Sequence, residues 1–281
     1  MPLIDYEWEY DNRGRVPEHE VIFAGMVRDS EAYRAASPKA ELGISYGPSA
    51  RQIINFFPAA ATDAPIAVFI HGGYWRTRDP SSYSHFAKIL NANGVSVAVV
   101  GYDLAPQVSI ATIIEQMRAA CLYLWRKHKR RLFVFGHSAG GHLTACMLAT
   151  DWKTLDPGAP SDLVPAAYAV SGVFDLTPLL HLSTNADFKL NETSARASSP
   201  IYWKVPAGRT LDVVVGGAET NEFIRQSRSF ADEWAKQGVA TRYDVIDGAN
   251  HFTIVHPLHD PASAMSKRVV ELAKQVGAKP L

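Results

Sequence analysis

The chain has 281 residues, 47% hydrophobic and 20% charged. That is too long for a disulfide-stapled mini-protein, and apolar enough for a substantial core. Twenty-eight Lys and Arg balance 28 Asp and Glu, for a formal net charge of +0. A neutral chain exerts no general pull on nucleic acid or anionic lipid, so neither is expected as a partner. The one basic cluster, Arg126 to Arg131, reads as the solvated end of a helix, where cations suit the macrodipole. Two cysteines, Cys121 and Cys146, with no C-x-x-C, exclude a disulfide framework and a cysteine-based zinc site.

In chain order, the opening Met1-Pro2-Leu3-Ile4-Asp5-Tyr6-Glu7 has neither a basic start nor an apolar run, so no signal peptide is expected. No apolar stretch approaches the ~18 residues of a membrane span. A cytoplasmic location is the expectation. Residues 1–50 form a mixed N-terminal extension with a helix over Pro17–Ala36 and a break at Ser37-Pro38. From Arg51 a new rhythm starts. Strands are expected at Gln52–Phe57, Ile66–Ile70, Val95–Val100, Leu132–Phe135, Ala166–Val170, Leu211–Val215 and Arg242–Ile246. Helices are expected at Ser82–Asn91, Ile110–Lys127, Gly140–Thr150, Glu222–Gln237 and Ala262–Val276. Such alternation predicts one α/β domain over 1–281, with a mostly parallel sheet covered by helices on both faces. Residues 172–208 break the rhythm with prolines and bulky aromatics. They read as a small cap-like insertion over the sheet's carboxyl edge.

The strongest chemical signal is Gly136-His137-Ser138-Ala139-Gly140, a G-x-S-x-G directly after a strand and before a helix. A nucleophile on such a turn needs small residues two before and two after it, so that strand and helix can approach closely. The same turn aims the Ala139 N–H at a developing oxyanion. A second donor must come from another loop. His71-Gly72-Gly73-Tyr74-Trp75 follows the strand Ile66–Ile70, and its paired glycines permit close approach. The N–H groups of Gly73 and Tyr74 are the candidates, with the His71 side chain as a loop organiser.

A serine hydroxyl needs a base. In this kind of sheet the order is serine, acid, histidine, with the histidine beyond the last strand. His251, after the turn Asp247-Gly248-Ala249-Asn250, takes that place. His256 and His259 read as loop histidines, and His137 and His142 sit too near Ser138 in sequence to face its hydroxyl. Glu219, past the strand Leu211–Val215, is the expected acid. Asp175 and Glu222 are the alternatives, and Asp247 lies close to His251 along the chain. Trp75, Phe174, Tyr202 and Trp203 are candidates for an aromatic substrate pocket. H-E-x-x-H and G-x-x-x-x-G-K-[ST] are both missing, so no metal or cofactor is expected.

At these residues, across about Ser45 to His259, the chain resembles an α/β-hydrolase of the kynurenine formamidase (arylformamidase) branch, near the hormone-sensitive-lipase-like esterases. The resemblance rests on His71-Gly72-Gly73-Tyr74-Trp75, with softer matches at Tyr102-Asp103-Leu104-Ala105-Pro106, Ser171 to Leu176, Ser199-Pro200 and Glu222 to Ser227. Members of that branch commonly carry Asp where this chain has Glu219; glutamate offers the same carboxylate on one more methylene. The resemblance implies a small-molecule partner, an aryl amide or ester, and hydrolysis of N-formyl-L-kynurenine to kynurenine and formate. A general carboxylesterase and a non-catalytic ligand-binding relative are the alternatives. A homodimer is left open.

Overall fold

In the computed structural model, residues 4–278 are described; Met1 to Leu3, part of the stretch considered above for a leader, lie outside that range. Eight strands form one sheet: β1 Glu41–Ser45, β2 Ile53–Phe57, β3 Ile66–Ile70, β4 Ser96–Val100, β5 Leu132–His137, β6 Ala166–Val170, β7 Thr210–Gly216 and β8 Ala240–Ile246. Their order is β1-β2-β4-β3-β5-β6-β7-β8. β1 and β2 are antiparallel to their neighbours, and every pairing from β4 through β3 to β8 is parallel.

The strands that read as continuous apolar runs are those sealed on both faces. β3, β4 and β6 are buried at every position. Period-2 alternation splits each between two cores. Ile66, Val68 and Ile70 face one side, with the helices Ile110–His128, Ala139–Ala149 and Asn221–Lys236. Ala67 and Phe69 face the other, with the helix Ala264–Gly277 and the segment Pro80–Ala92.

Three local differences from expectation have physical causes. β1 was not foreseen: it is an edge strand, mostly exposed, so no apolar alternation marks it, and its register is irregular between Glu41 and Ile44. The stretch Ser82–Asn91 divides into a 3-10 turn, Pro80–Phe86, and a short helix, Ala87–Ala92. Residues 172–208 hold only short helical turns, among them Thr177–His181, Asn185–Phe188 and Glu192–Ala197. No helix among the described residues is long and apolar enough to cross a membrane.

The parallel strands carry their loops to one edge of the sheet, and there two backbones meet at unusual proximity. A Cβ on Gly140 would lie 1.9 Å from the carbonyl oxygen of Ile70, the last residue of β3. Only a missing side chain lets the helix Ala139–Ala149 sit so low over the sheet. Gly140→Ala should therefore cost about 3 kcal/mol or more of stability, as backbone must shift to accommodate the methyl. Gly25→Ala, in the middle of the helix His19–Ala35 with nothing nearer than an arginine tip at 3.7 Å, should gain up to about 1 kcal/mol. Urea unfolding of the two variants checks the opposite signs; similar effects from both would contradict the packing argument.

Candidate active site

Ser138 sits between β5 and the helix Ala139–Ala149 with φ 58° and ψ −122°, a conformation that non-glycine residues adopt only when the surroundings impose it. Its N–H donates to Val170 O at the end of β6, 2.8 Å away. The loop after β3 presses on the same turn: a Cβ on Gly72 would meet His137 O at 2.8 Å and Ser138 Cβ at 3.1 Å. These contacts hold the hydroxyl above the sheet edge.

His251 Nε2 lies 3.0 Å from Ser138 Oγ, and His251 Nδ1 lies 2.6 Å from Glu219 Oε2. An ionised carboxylate only accepts, so Nδ1 carries the proton and Nε2 is left to accept from the serine hydroxyl. Three residues from separate strand-end loops thus form one hydrogen-bonded chain, with Ser138 7%, His251 6% and Glu219 8% exposed. The loops bearing acid and imidazole are tied together, since Gly217 N–H donates to Ile246 O at 2.8 Å and Ala218 N–H to Ala249 O at 3.0 Å. The imidazole is flanked by Phe223 at 4.7 Å and His137 at 4.8 Å between ring centroids.

Glu219 uses its extra methylene to fold back on its own strand. Oε1 accepts from the Gly216 N–H at 2.8 Å and from the Ser171 hydroxyl. Ser171 is fully buried with φ 49° at the end of β6. Sequence reasoning did not single it out for this contact; its place directly beyond a buried strand, beside Gly172, was the available signal.

The other candidates fall elsewhere. Asp175 accepts from the Thr177 N–H at 2.9 Å and from the Tyr202 hydroxyl at 3.0 Å. Glu222 takes a two-pronged ion pair from Arg225, both contacts 2.7 Å. His142 Nε2 turns to Ser198 O at 2.7 Å. His256 and His259 lie near each other, and His259 packs edge-on against His85. His71 is stacked between Tyr83 and Tyr102, and the Tyr102 hydroxyl donates to its carbonyl at 2.7 Å. Both cysteines are free and buried, and burial pushes the Cys121 thiol up to about 12.

In the second loop Gly73, Tyr74 and Trp75 all have positive φ, at 111°, 56° and 55°. The Gly73 carbonyl accepts from the N–H groups of Arg76 and Thr77, both at 3.0 Å, which curls the loop. Tyr74 packs edge-on against Phe188.

Ser138 and His251 open into a cavity of about 540 Å³. The structure does not bring the four expected pocket aromatics to its wall. Trp75 is fully buried against His142 and Phe188. Phe174 stacks on Phe230 in the core. Tyr202 is 44% exposed, and Trp203 donates its indole N–H to Ala197 O at 3.0 Å beside a separate surface groove. Residue type alone did not say which way these rings would face. The cavity wall includes instead Trp8, Tyr10, Phe23 and Met26 of the N-terminal extension, Gly73, Tyr74 and Arg78 of the loop after β3, and Leu182 and Thr184 of the 172–208 segment. The extension is held by long-range contacts: Tyr10 donates to Glu222 at 3.3 Å and accepts from Gln226, and Glu9 accepts from the Glu222 N–H at 2.9 Å.

A serine on a strained strand–turn–helix, an imidazole beyond the last strand, and a mostly parallel eight-stranded sheet are the marks of one class of enzyme scaffold. The chain belongs to the α/β-hydrolase family: residues 67–255 match the model described as alpha/beta hydrolase fold, and the protein is a hydrolase. It is similar to kynurenine formamidase of Salmo salar, 30% identical over 88% of this chain and 87% of that protein. It is also similar to kynurenine formamidase of Drosophila melanogaster, 32% identical over 75% of this chain and 74% of that one. Among solved structures, a provisionally assigned thioesterase from a Silicibacter species superposes with a TM-score of 0.87 at 29% identity, covering 97% of this chain and all of that one.

Burial sets a pH dependence. It pulls the imidazoles of His71 and His142 down to about 4 and that of His85 to about 3. The unfolded chain therefore binds more protons than the folded one between about pH 6.5 and pH 4, and stability falls as pH drops through that window. Urea unfolding should show a loss of about 2 kcal/mol for each such histidine between pH 7 and pH 5. A flat profile over that range would contradict neutral burial of these rings.

Proposed function

We propose that the protein is a cofactor-free serine hydrolase of aryl formamides, acting on N-formyl-L-kynurenine, with Ser138, His251 and Glu219 as its triad. The observation that carries this reading is the continuous hydrogen-bonded path from Glu219 through His251 to Ser138, which opens into the cavity. Similarity to kynurenine formamidases over most of the chain supports the substrate class. The whole chain is read as one domain, with residues 1–50 and 172–208 contributing to the rim of the site.

In this mechanism Ser138 Oγ attacks the formyl carbon while His251 Nε2 takes the hydroxyl proton. The carbonyl π-pair moves to oxygen, and the N–H groups of Gly73, Tyr74 and Ala139 receive the oxyanion. Loss of one such donor typically raises the barrier by about 3 kcal/mol. Collapse re-forms the carbonyl and breaks the C–N bond, and His251 passes its proton to the departing arylamine nitrogen. The serine is left as a formyl ester. Water then gives a proton to His251 and attacks the ester; the C–O bond to Ser138 breaks, the proton returns to Ser138, and formic acid departs and releases its remaining proton to solvent as formate. Glu219 holds the Nδ1 proton and offsets the cation formed at each transfer. Its own two donors, Gly216 N–H and Ser171 O–H, keep the carboxylate aimed.

Comparison of kcat/KM for N-formylkynurenine with that for short p-nitrophenyl esters tests the substrate class. A clear preference for the formamide is expected; a large preference for simple esters would make the protein a general carboxylesterase instead. Glu219→Gln should lower kcat by roughly 10³–10⁴, as loss of the carboxylate's hold on the imidazole does in comparable triads. Asp175→Asn should stay within about threefold of wild type, since its partners Thr177 and Tyr202 lie outside the chain of proton transfer. The reverse ranking would transfer the acid role to Asp175.

A further inference from the structure

Cleavage of a formyl group asks only for the serine, its base and oxyanion donors, yet the cavity also carries charges with no partner. Arg78 is the clearest. Its stem packs over Gly73, where a Cβ would meet Arg78 Cγ at 2.7 Å, so the side chain rises directly from the loop proposed to hold the oxyanion. Its backbone has φ 84°, and its carbonyl accepts from Arg51. The guanidinium carbon lies 3.2 Å from the ring centroid of Phe23, which reaches over from the helix His19–Ala35. The residue is thus clamped from both sides at the cavity wall.

Neighbouring Arg76 is neutralised by Asp187 at 2.7 Å. Arg78 has no such carboxylate among the described residues. Burial is the main penalty on its charge; the Tyr83 phenol relieves part of it, the charge of Arg13 adds to it, and the one carboxylate that relieves it, Glu20, does so least. Arginine does not shed its proton to escape this. Stacking on an aromatic face leaves a guanidinium's in-plane N–H groups available for a planar anion. Facing the same cavity are Asp5, Glu7 and Asp11. Each accepts a backbone N–H, from Trp8, Ser183 and Gly14 respectively, and none is paired with a cation among the described residues.

Resting on the formamidase reading, we infer that Arg78 is a specificity-determining residue that pairs with a carboxylate on the leaving-amine side of the substrate, while the N-terminal carboxylates face its ammonium. The site then selects amino-acid zwitterions among aryl formamides, and the N-terminal extension is part of the binding surface. The cation and the carboxylates come from different parts of the chain, so an amino-acid head group bridges the loop Gly73–Arg78 to the extension.

The experiment pairs substrates that differ by one carboxyl group: N-formylkynurenine against its decarboxylated analogue, and 4-carboxyphenyl acetate against phenyl acetate. Wild type, Arg78→Met and Arg78→Lys are compared. Arg78→Met should lose about 30-fold more kcat/KM on each carboxyl-bearing member than on its carboxyl-free partner, mostly through KM. Arg78→Lys should recover part of that difference, because it restores charge without the fork. Equal losses on both members of a pair, or no loss, would overturn the inference. Should the variants fold poorly, wild type still decides: kynurenine should inhibit phenyl acetate hydrolysis about tenfold more tightly than its decarboxylated analogue, and equal inhibition would count against Arg78. An enzyme that ignores both formamides but hydrolyses the acetates would sink the formamidase reading, while the acetate pair and the inhibition ratio still judge Arg78.

Discussion

Everything at the site follows from how near two backbones come at the end of β3. The helix that begins at Ala139 lies so low that the Ile70 carbonyl occupies the space a side chain on Gly140 would need. The turn above it cannot relax into an ordinary helix entry, and Ser138 is held with φ 58° by a bond from its own N–H to Val170. Strain of this kind costs of order 1–3 kcal/mol and persists only where packing over-determines it. Here the packing is supplied by fully buried strands on both sides of β5. The gain is positional: a hydroxyl presented above the sheet edge, with a second loop pressed against it through Gly72.

The acid end obeys the same logic in reverse. Glu219 is not simply a longer aspartate. Its carboxylate turns back toward β7 and is tethered at Oε1 by Gly216 and Ser171, leaving Oε2 for the imidazole. Ser171 in turn is fixed by its N–H to Val214 O at 2.7 Å. The strand ends of β5, β6 and β7 therefore each contribute one backbone-anchored group to a single path. His251, on the far loop, is kept in place by Phe223 and His137 and by a loop that Asn250 closes through bonds to the Phe252 and Thr253 N–H groups, both at 2.9 Å.

Much of this was legible from residues alone, for identifiable reasons. Runs such as Ile66–Ile70 and Ala166–Val170 are apolar because both faces are covered, and that is a strong local signal. The juxtaposition of Ser138, His251 and Glu219 was legible because each follows a recognisable strand. β1 was not, since an exposed edge strand carries no burial pattern. Nor was the pocket lining. Phe174 and Trp75 are large and apolar whether they line a cavity or fill a core, and only the packing of Phe230 and Phe188 decides between the two. The covering role of the N-terminal extension was equally hidden. It depends on Tyr10 and Glu9 meeting Glu222 and Gln226, contacts more than 200 positions apart that no local pattern encodes.

Hydrolysis through the path Glu219–His251–Ser138 requires Ser138 to be the one activated nucleophile. Intact-protein and peptide mass spectrometry after treatment with a fluorophosphonate reads this directly. A single adduct on Ser138 is predicted, absent from Ser138→Ala and strongly slowed in His251→Ala. A folded protein that takes no adduct, or takes it at another residue while Ser138→Ala still hydrolyses substrate, would contradict it.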